Sequence, residues 1–144
     1  MKLFLPPLSF LILILFLANT AKAQVFTGTG GAISNDSLPN FYSQTVAVTN
    51  TSIDNNYGVY GVMVNISHTY DADLNIFLIA PNNYTVELST KNGGAGDNYS
   101  NCIFTANTSV KINSASAPFT GSFKPEGSLG IVNNGQNPNG TWKL

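Results

Sequence analysis

The 144-residue chain has six lysines, no arginine and seven acidic residues, which gives a formal net charge of −1. A nucleic-acid-binding protein needs clustered cations to displace counterions from phosphates, so this composition excludes nucleic-acid binding. The length is sufficient for one domain with a hydrophobic core.

The first 23 residues have the features of a secretory signal peptide. Lys2 gives a positive start, residues 3–18 are almost wholly apolar, and Ala21-Lys22-Ala23 forms a small-x-small cleavage pattern. The alternative is a membrane anchor. However, Pro6-Pro7 leaves only about ten uninterrupted apolar residues, against the roughly twenty that cross a bilayer. We therefore expect a signal peptide over 1–23, secretion, and a mature domain over 24–144 without a membrane span.

Short segments with period-two alternation fill the rest of the chain, and none of them predicts a helix. The Pro81-Asn82-Asn83 turn predicts a hairpin between the third and fourth strands. Many short strands at this spacing predict an all-β fold, a jelly-roll-like β-sandwich. The predicted strands cover residues 45–48, 62–66, 74–80, 84–88, 102–105, 110–112, 121–123, 129–132 and 141–144.

The segment 90–101 lacks this period-two alternation and is predicted to be a long loop, with three glycines and one carboxylate. Glycines permit positive φ and bring backbone carbonyls close to a ligand. A phosphate-binding loop would need Lys and Ser or Thr after the last glycine, at the start of a helix. Asp97-Asn98 follows instead, so the phosphate interpretation fails.

Four residues form a candidate calcium site. Asp71 and Asp73 are two apart, so on an extended chain both carboxylates point the same way. Asp97, Asn98 and the glycine-rich backbone add oxygen atoms from a second loop, and calcium takes six to eight oxygen ligands from such loops. The alternative is structural, with Asp71 capping a turn and Asp73 bonding loop amides.

The chain has no recognisable catalytic motif. It lacks the Gly-Thr-Ser-x-Ala, Gly-x-Ser-x-Gly and His-Glu-x-x-His patterns. His68 is its only histidine, and we expect it to bond across the turn that follows it rather than to serve a triad. Cys102 is its only cysteine, so no internal disulfide forms, and we expect a buried thiol that acts as a small hydrophobe. The sequence predicts a domain that is not itself an enzyme.

Three ordered motifs carry a family resemblance. The first is His68-Thr69-Tyr70-Asp71-Ala72-Asp73-Leu74, followed by a hydrophobic strand and Pro81. The second is Pro118-Phe119-Thr120-Gly121, followed by an aromatic, a basic residue and proline, and the third is Gly140-Thr141-Trp142-Lys143-Leu144. Together they resemble the P (Homo B) domain of subtilisin-like proprotein convertases. The glycine-rich loop is most similar to bacterial secreted versions.

The resemblance implies a secreted accessory module that stabilises or targets a neighbouring domain, such as a serine endopeptidase domain outside this chain. It also implies calcium binding, because the family includes calcium-binding members. In the family further strands follow the Gly-Thr-Trp-x-Leu segment, so we expect the 24–144 domain to be C-terminally truncated. The alternative function is carbohydrate binding or adhesion through the aromatic side chains of Tyr70, Tyr84, Tyr99 and Trp142.

Overall fold

The computed structural model describes residues 23–34 and 38–144, so the predicted signal peptide lies outside the described residues except for Ala23. Short 3-10 helices occupy Asp71–Asp73, Ile112–Ser114 and Leu129–Ile131. None of the helices in the described ranges is long and apolar enough to cross a membrane. The strands are β1 (Ser43–Val46), β2 (Gly61–Ile66), β3 (Asn75–Ile79), β4 (Thr85–Thr90), β5 (Tyr99–Thr105), β6 (Phe119–Phe123) and β7 (Gly140–Lys143).

The strands form two sheets. The four-stranded sheet has the antiparallel order β1-β7-β3-β4. The three-stranded sheet has the order β2-β5-β6, in which β2 and β5 are antiparallel and β5 and β6 are parallel. The prediction of an all-β, jelly-roll-like sandwich is confirmed.

The core lies between the two sheets and follows from the period-two alternation of their strands. In β3, Ile76 and Leu78 are buried, whereas Asn75 and Phe77 face outward. Each fully buried aliphatic or aromatic side chain stabilises the fold by roughly 1.5–3 kcal/mol. The largest fully buried side chains are Tyr99, Phe104, Phe119, Leu88, Ile112, Val86 and Val132.

The predicted hairpin between the third and fourth strands is confirmed. β3 and β4 pair antiparallel, and the Ala80 amide donates to the Tyr84 carbonyl over 2.9 Å. Asn83 adopts a φ of 67°, which asparagine tolerates in tight turns.

Two predicted strands are wrong. Residues 129–132 form the Leu129–Ile131 helix, where the Ser128 hydroxyl accepts a hydrogen bond from the Gly130 amide over 3.2 Å. Residues 110–112 contribute only one parallel bridge, between Lys111 and Lys124, before the Ile112–Ser114 helix begins. Short apolar runs do not distinguish a strand from a buried turn of helix by periodicity.

Candidate functional site

The glycine-rich loop, residues 91–98, folds over the Asp71–Asp73 helix. The Asp71 amide donates to the Gly96 carbonyl over 2.9 Å, and the Ala72 amide donates to the Gly94 carbonyl over 3.1 Å. Two carbonyl groups of the loop therefore turn inward, as its glycine content predicted.

Glycine is required at two positions for this close approach. Gly93 has a φ of +88°, and a Cβ there would lie 2.8 Å from both Asp71 Cβ and Phe119 Cε2. A Cβ on Gly96 would lie 2.6 Å from Ala117 Cβ. A side chain at Gly93 would push the loop away from the Asp71–Asp73 helix, and one at Gly96 would push it away from Ala117.

Asp71 is the most buried charged residue of the site, with 0% of its surface exposed. Its Oδ1 accepts a hydrogen bond from the Asn98 amide over 3.0 Å, whereas its buried Oδ2 has no hydrogen-bond partner. Burial raises the pKa of the Asp71 carboxyl, while the Asn98 amide and the charge of His68 act in the opposite direction. A buried oxygen without a partner is costly unless it takes up a proton or a cation.

Asn98 connects the loop to the end of β2. It adopts a φ of 74°, and its Oδ1 accepts a hydrogen bond from the His68 amide over 3.0 Å. The His68 ring turns back on the following turn, where its Nδ1 lies 2.9 Å from the Tyr70 carbonyl oxygen and 3.2 Å from the Tyr70 amide nitrogen. The expected structural bond of His68 across the turn is confirmed.

The two remaining candidate ligands, Asp73 and Asp97, are both exposed. The premise of an extended chain at residues 71–73 is wrong, because this segment is a 3-10 helix in which Asp71 is buried and Asp73 faces solvent. Asp97 lies close enough to raise the pKa of Asp71 through charge repulsion. Across residues 23–34 and 38–144, no group of three or more His, Cys, Asp or Glu side chains is placed to hold a metal ion.

The sequence interpretation missed an aromatic and hydroxyl network beneath the loop. The Tyr99 ring lies 4.6 Å from the Phe119 ring, and the Tyr99 hydroxyl lies 3.0 Å from Ser89 Oγ. Asn92 Nδ2 donates to the same Ser89 oxygen over 2.9 Å. Burial raises the pKa of Tyr99 to about 12. The one available signal was that Tyr99 lies three positions before the predicted strand 102–105, which in the structure begins at Tyr99 itself.

The aromatic residues considered for carbohydrate binding do not share one surface. Trp142 is buried, and its Nε1 donates to the Pro138 carbonyl over 2.8 Å. Tyr99 is buried in the core, whereas Tyr70 and Tyr84 are exposed. The burial of two of the four rings removes them from any sugar-stacking face.

Cys102 is a buried free thiol, as predicted. It lies on β5 with none of its surface exposed, and burial raises its pKa to about 12. Because the thiolate is the nucleophilic form, this cysteine is unsuited to catalysis.

An apolar patch lies on the outer face of the four-stranded sheet. Ile79 pairs with Lys143, and Phe77 lies two residues from Ile79 on the same side of β3. Lys143 Nζ lies 5.4 Å from the centre of the Phe41 ring. We call Phe41, Phe77, Ile79 and Lys143 the outer patch. Its phenylalanines are 55% and 36% exposed, respectively.

A sequence model of one family, described as Proprotein convertase P-domain, matches residues 59–144. This range covers more than half of the chain and includes β2 to β7 and the whole loop and helix site. No curated protein and no solved structure matches the chain.

Proposed function

The chain belongs to the proprotein convertase P-domain family, and we propose that it is a secreted, non-catalytic module that docks against a neighbouring domain and stabilises it. The proposed neighbour is the catalytic domain of a subtilisin-like serine protease, because P-domains of this family accompany such proteases. The outer patch is the observation that carries the proposal.

Histidine and cysteine side chains act in catalysis in many hydrolases, but in this protein both have structural contacts. The His68 ring contacts the backbone of Tyr70, and Cys102 is buried with a raised pKa. Within the described part of the chain, no serine hydroxyl bonds to His68. These contacts support an accessory role rather than a peptidase activity.

The outer patch has the composition of a protein-docking surface. Lys143 contacts the exposed Phe41 ring and pairs with the half-buried Ile79, and Phe77 follows Ile79 on the same outer face of β3. Contiguous exposed apolar surface on a soluble domain marks interaction sites, and aromatic side chains dominate the binding energy of protein interfaces. We therefore assign the outer patch to the contact with the catalytic domain.

The docking proposal is tested by protease stability. The purified protein, added to subtilisin-like catalytic domains secreted by the same organism, should lengthen their activity half-life on heating. A partner present at a hundredfold excess over its Kd stabilises by about 2.7 kcal/mol. The variants Phe41→Ser and Phe77→Ser should lose this effect. Met63→Ser is the matched control, because Met63 is 60% exposed but lies on β2 in the other sheet.

An unchanged protease half-life, or an equal loss of effect in Met63→Ser, would show that the outer patch is not a docking surface. Cleavage of casein by the purified protein alone, lost in His68→Ala, would overturn the non-catalytic assignment.

We propose in addition that Asp71 binds a calcium ion, with Asp97 and Asn98 as neighbouring oxygen donors. The support is the fully buried Asp71 Oδ2, which has no hydrogen-bond partner. Asp73 completes the set expected from the sequence, although its carboxylate is exposed. A bound calcium ion would supply positive charge next to a carboxylate that no arginine neutralises.

The calcium proposal is tested against its alternative, a protonated Asp71. In excess chelator, Asp71→Asn should raise the melting temperature, because burial raises the pKa of Asp71 and its ionised form destabilises the fold at neutral pH. In millimolar calcium the unmodified protein should gain several degrees, and Asp71→Asn should gain nothing.

Asp54→Asn is the control for the calcium response. Asp54 is exposed, and its Oδ1 accepts hydrogen bonds only within its own turn, from the amides of Asn56 and Tyr57. This variant should keep the full calcium response. Identical melting curves of the unmodified protein in calcium and in chelator would refute calcium binding.

A further inference from the structure

Two lysines meet at one surface concavity that contains no residue of the outer patch. Lys111 and Lys124 pair across a parallel β-bridge, and the backbone around them is fixed because the Ile112 amide donates to the Lys124 carbonyl over 3.1 Å. Paired residues on neighbouring extended segments lie about 5 Å apart and project to the same side. With Asn113, Pro125 and Glu126 they line a cavity of about 240 Å³.

Neither lysine is neutralised within the protein. In the part of the chain that the structure describes, no carboxylate lies within ion-pair distance of either ammonium group. The carboxylate of Glu126 is engaged elsewhere, because its Oε2 accepts hydrogen bonds from the Thr90 amide over 2.7 Å and from Asn92 Nδ2 over 3.0 Å. Two like charges directly opposite each other are destabilising, so an anion between them would be favoured.

We propose that this cavity binds an acidic peptide segment, with one or two carboxylate side chains placed between Lys111 and Lys124. Its volume equals that of roughly eight water molecules, which suits an aspartate or glutamate side chain. The side-chain amide of Asn113 can donate to a carboxylate, and Pro125 offers an apolar wall for the side-chain methylenes.

The lining favours a peptide over an anionic sugar or a nucleic acid. No aromatic ring lines the cavity, so a sugar ring would have no surface to stack on. Two lysines are too few to hold a nucleic-acid backbone, which is neutralised by many cations at once. The cavity does not include any residue of the outer patch, so this proposal holds or fails independently of protease docking.

The experiment is an NMR titration of the 15N-labelled protein with the peptide acetyl-GDEDG-amide. Shifts should be confined to the backbone amides around residues 111–113 and 124–126. The neutral peptide acetyl-GNQNG-amide should cause none. The double variant Lys111→Gln/Lys124→Gln should weaken binding of the acidic peptide by at least about fivefold. Raising the salt concentration from about 20 to about 300 mM should weaken it further, because the contacts are exposed.

The single variants Lys124→Gln and Lys91→Gln remove the same charge inside and outside the cavity, respectively. Lys91→Gln is the matched control, because Lys91 is exposed and does not line the cavity. It should bind the acidic peptide nearly as well as the unmodified protein. Equal shifts with the neutral peptide, or equal weakening in Lys124→Gln and Lys91→Gln, would overturn the proposal. A sulfated disaccharide that shifts these amides while the acidic peptide does not would likewise refute the peptide assignment.

Discussion

Single residues set the distance between the glycine-rich loop and the Asp71–Asp73 helix. Gly93 allows Phe119 and Asp71 to approach the loop backbone, and Asn98 bonds Asp71 through its amide and His68 through its side chain. Each of these contacts depends on a residue that accepts positive φ. The site is therefore specified by backbone conformation as much as by its carboxylates.

The close packing at Gly93 is tested by comparing the stability of Gly93→Ala with that of Gly94→Ala. Gly93→Ala and Gly94→Ala both place a side chain at positive φ, which costs about 1 kcal/mol. Only Gly93→Ala also meets atoms at 2.8 Å, whereas a Cβ on Gly94 meets nothing within 4 Å. We expect losses in the free energy of unfolding of about 3 kcal/mol and about 1 kcal/mol, respectively, by urea denaturation. Equal losses would contradict the close packing of the loop.

The Cys102 thiol provides a probe of core opening. Because it is buried and its pKa is raised to about 12, iodoacetamide should not label it in the native protein at mildly alkaline pH. Complete labelling is expected in concentrated guanidinium chloride, and mass spectrometry distinguishes the two states. Rapid labelling of the native protein would place the thiol at the surface.

At the scale of elements, β3 contributes side chains both to the hydrophobic core and to the outer patch. Its inner side chains complete the core, and its outer side chains form part of the outer patch. This division follows from the strand period of two, so a shift of register by one residue would exchange the two faces.

The division is tested by truncating one residue on each face of β3. Leu78→Ala should lower the free energy of unfolding by about 2–5 kcal/mol, because Leu78 is only 7% exposed and its loss leaves a cavity. Phe77→Ala should cost less, about 1 kcal/mol, since Phe77 is on the outer face and 36% exposed. Chemical denaturation of both variants provides the comparison. A larger loss for Phe77→Ala would reverse the assigned faces.

For the whole molecule, two buried acids control stability at alkaline pH. The Cys102 thiol and the Tyr99 phenol have ordinary pKa values of 9.0 and 10.0, and burial raises both to about 12. Above about pH 9 the unfolded chain releases these protons while the native protein retains them. The free energy of unfolding therefore falls as pH rises towards about 12, by up to about 1.4 kcal/mol per pH unit for each group.

This alkaline loss is measured by urea denaturation at a series of pH values. Cys102→Ala lowers the overall stability, but it should make the curve flatter between about pH 9 and about pH 10, where the thiol accounts for most of the difference in bound protons. A free energy of unfolding that stays constant up to about pH 11 would show that neither group is held neutral by the fold.

Local sequence patterns determined the β-architecture and the family. The alternation at 62–66 and 74–80 and the Pro81-Asn82-Asn83 turn predicted real strands and a real hairpin, because strand faces and tight turns depend on residues close in sequence. The motifs at 68–74 and 140–144 carried the resemblance that the family match confirms. Composition alone argued against nucleic-acid binding, and this stays a prediction.

Only the tertiary structure decided the fate of individual side chains. Asp71 and Asp73 look equivalent in the sequence, but the glycine-rich loop covers one and leaves the other in solvent. Lys111 and Lys124 are thirteen positions apart and meet across a parallel β-bridge, which no local sequence pattern predicts. Burial and charge proximity depend on segments distant in the chain. The period-two pattern predicts only which face of a strand a residue occupies. Which segments cover that face depends on tertiary packing.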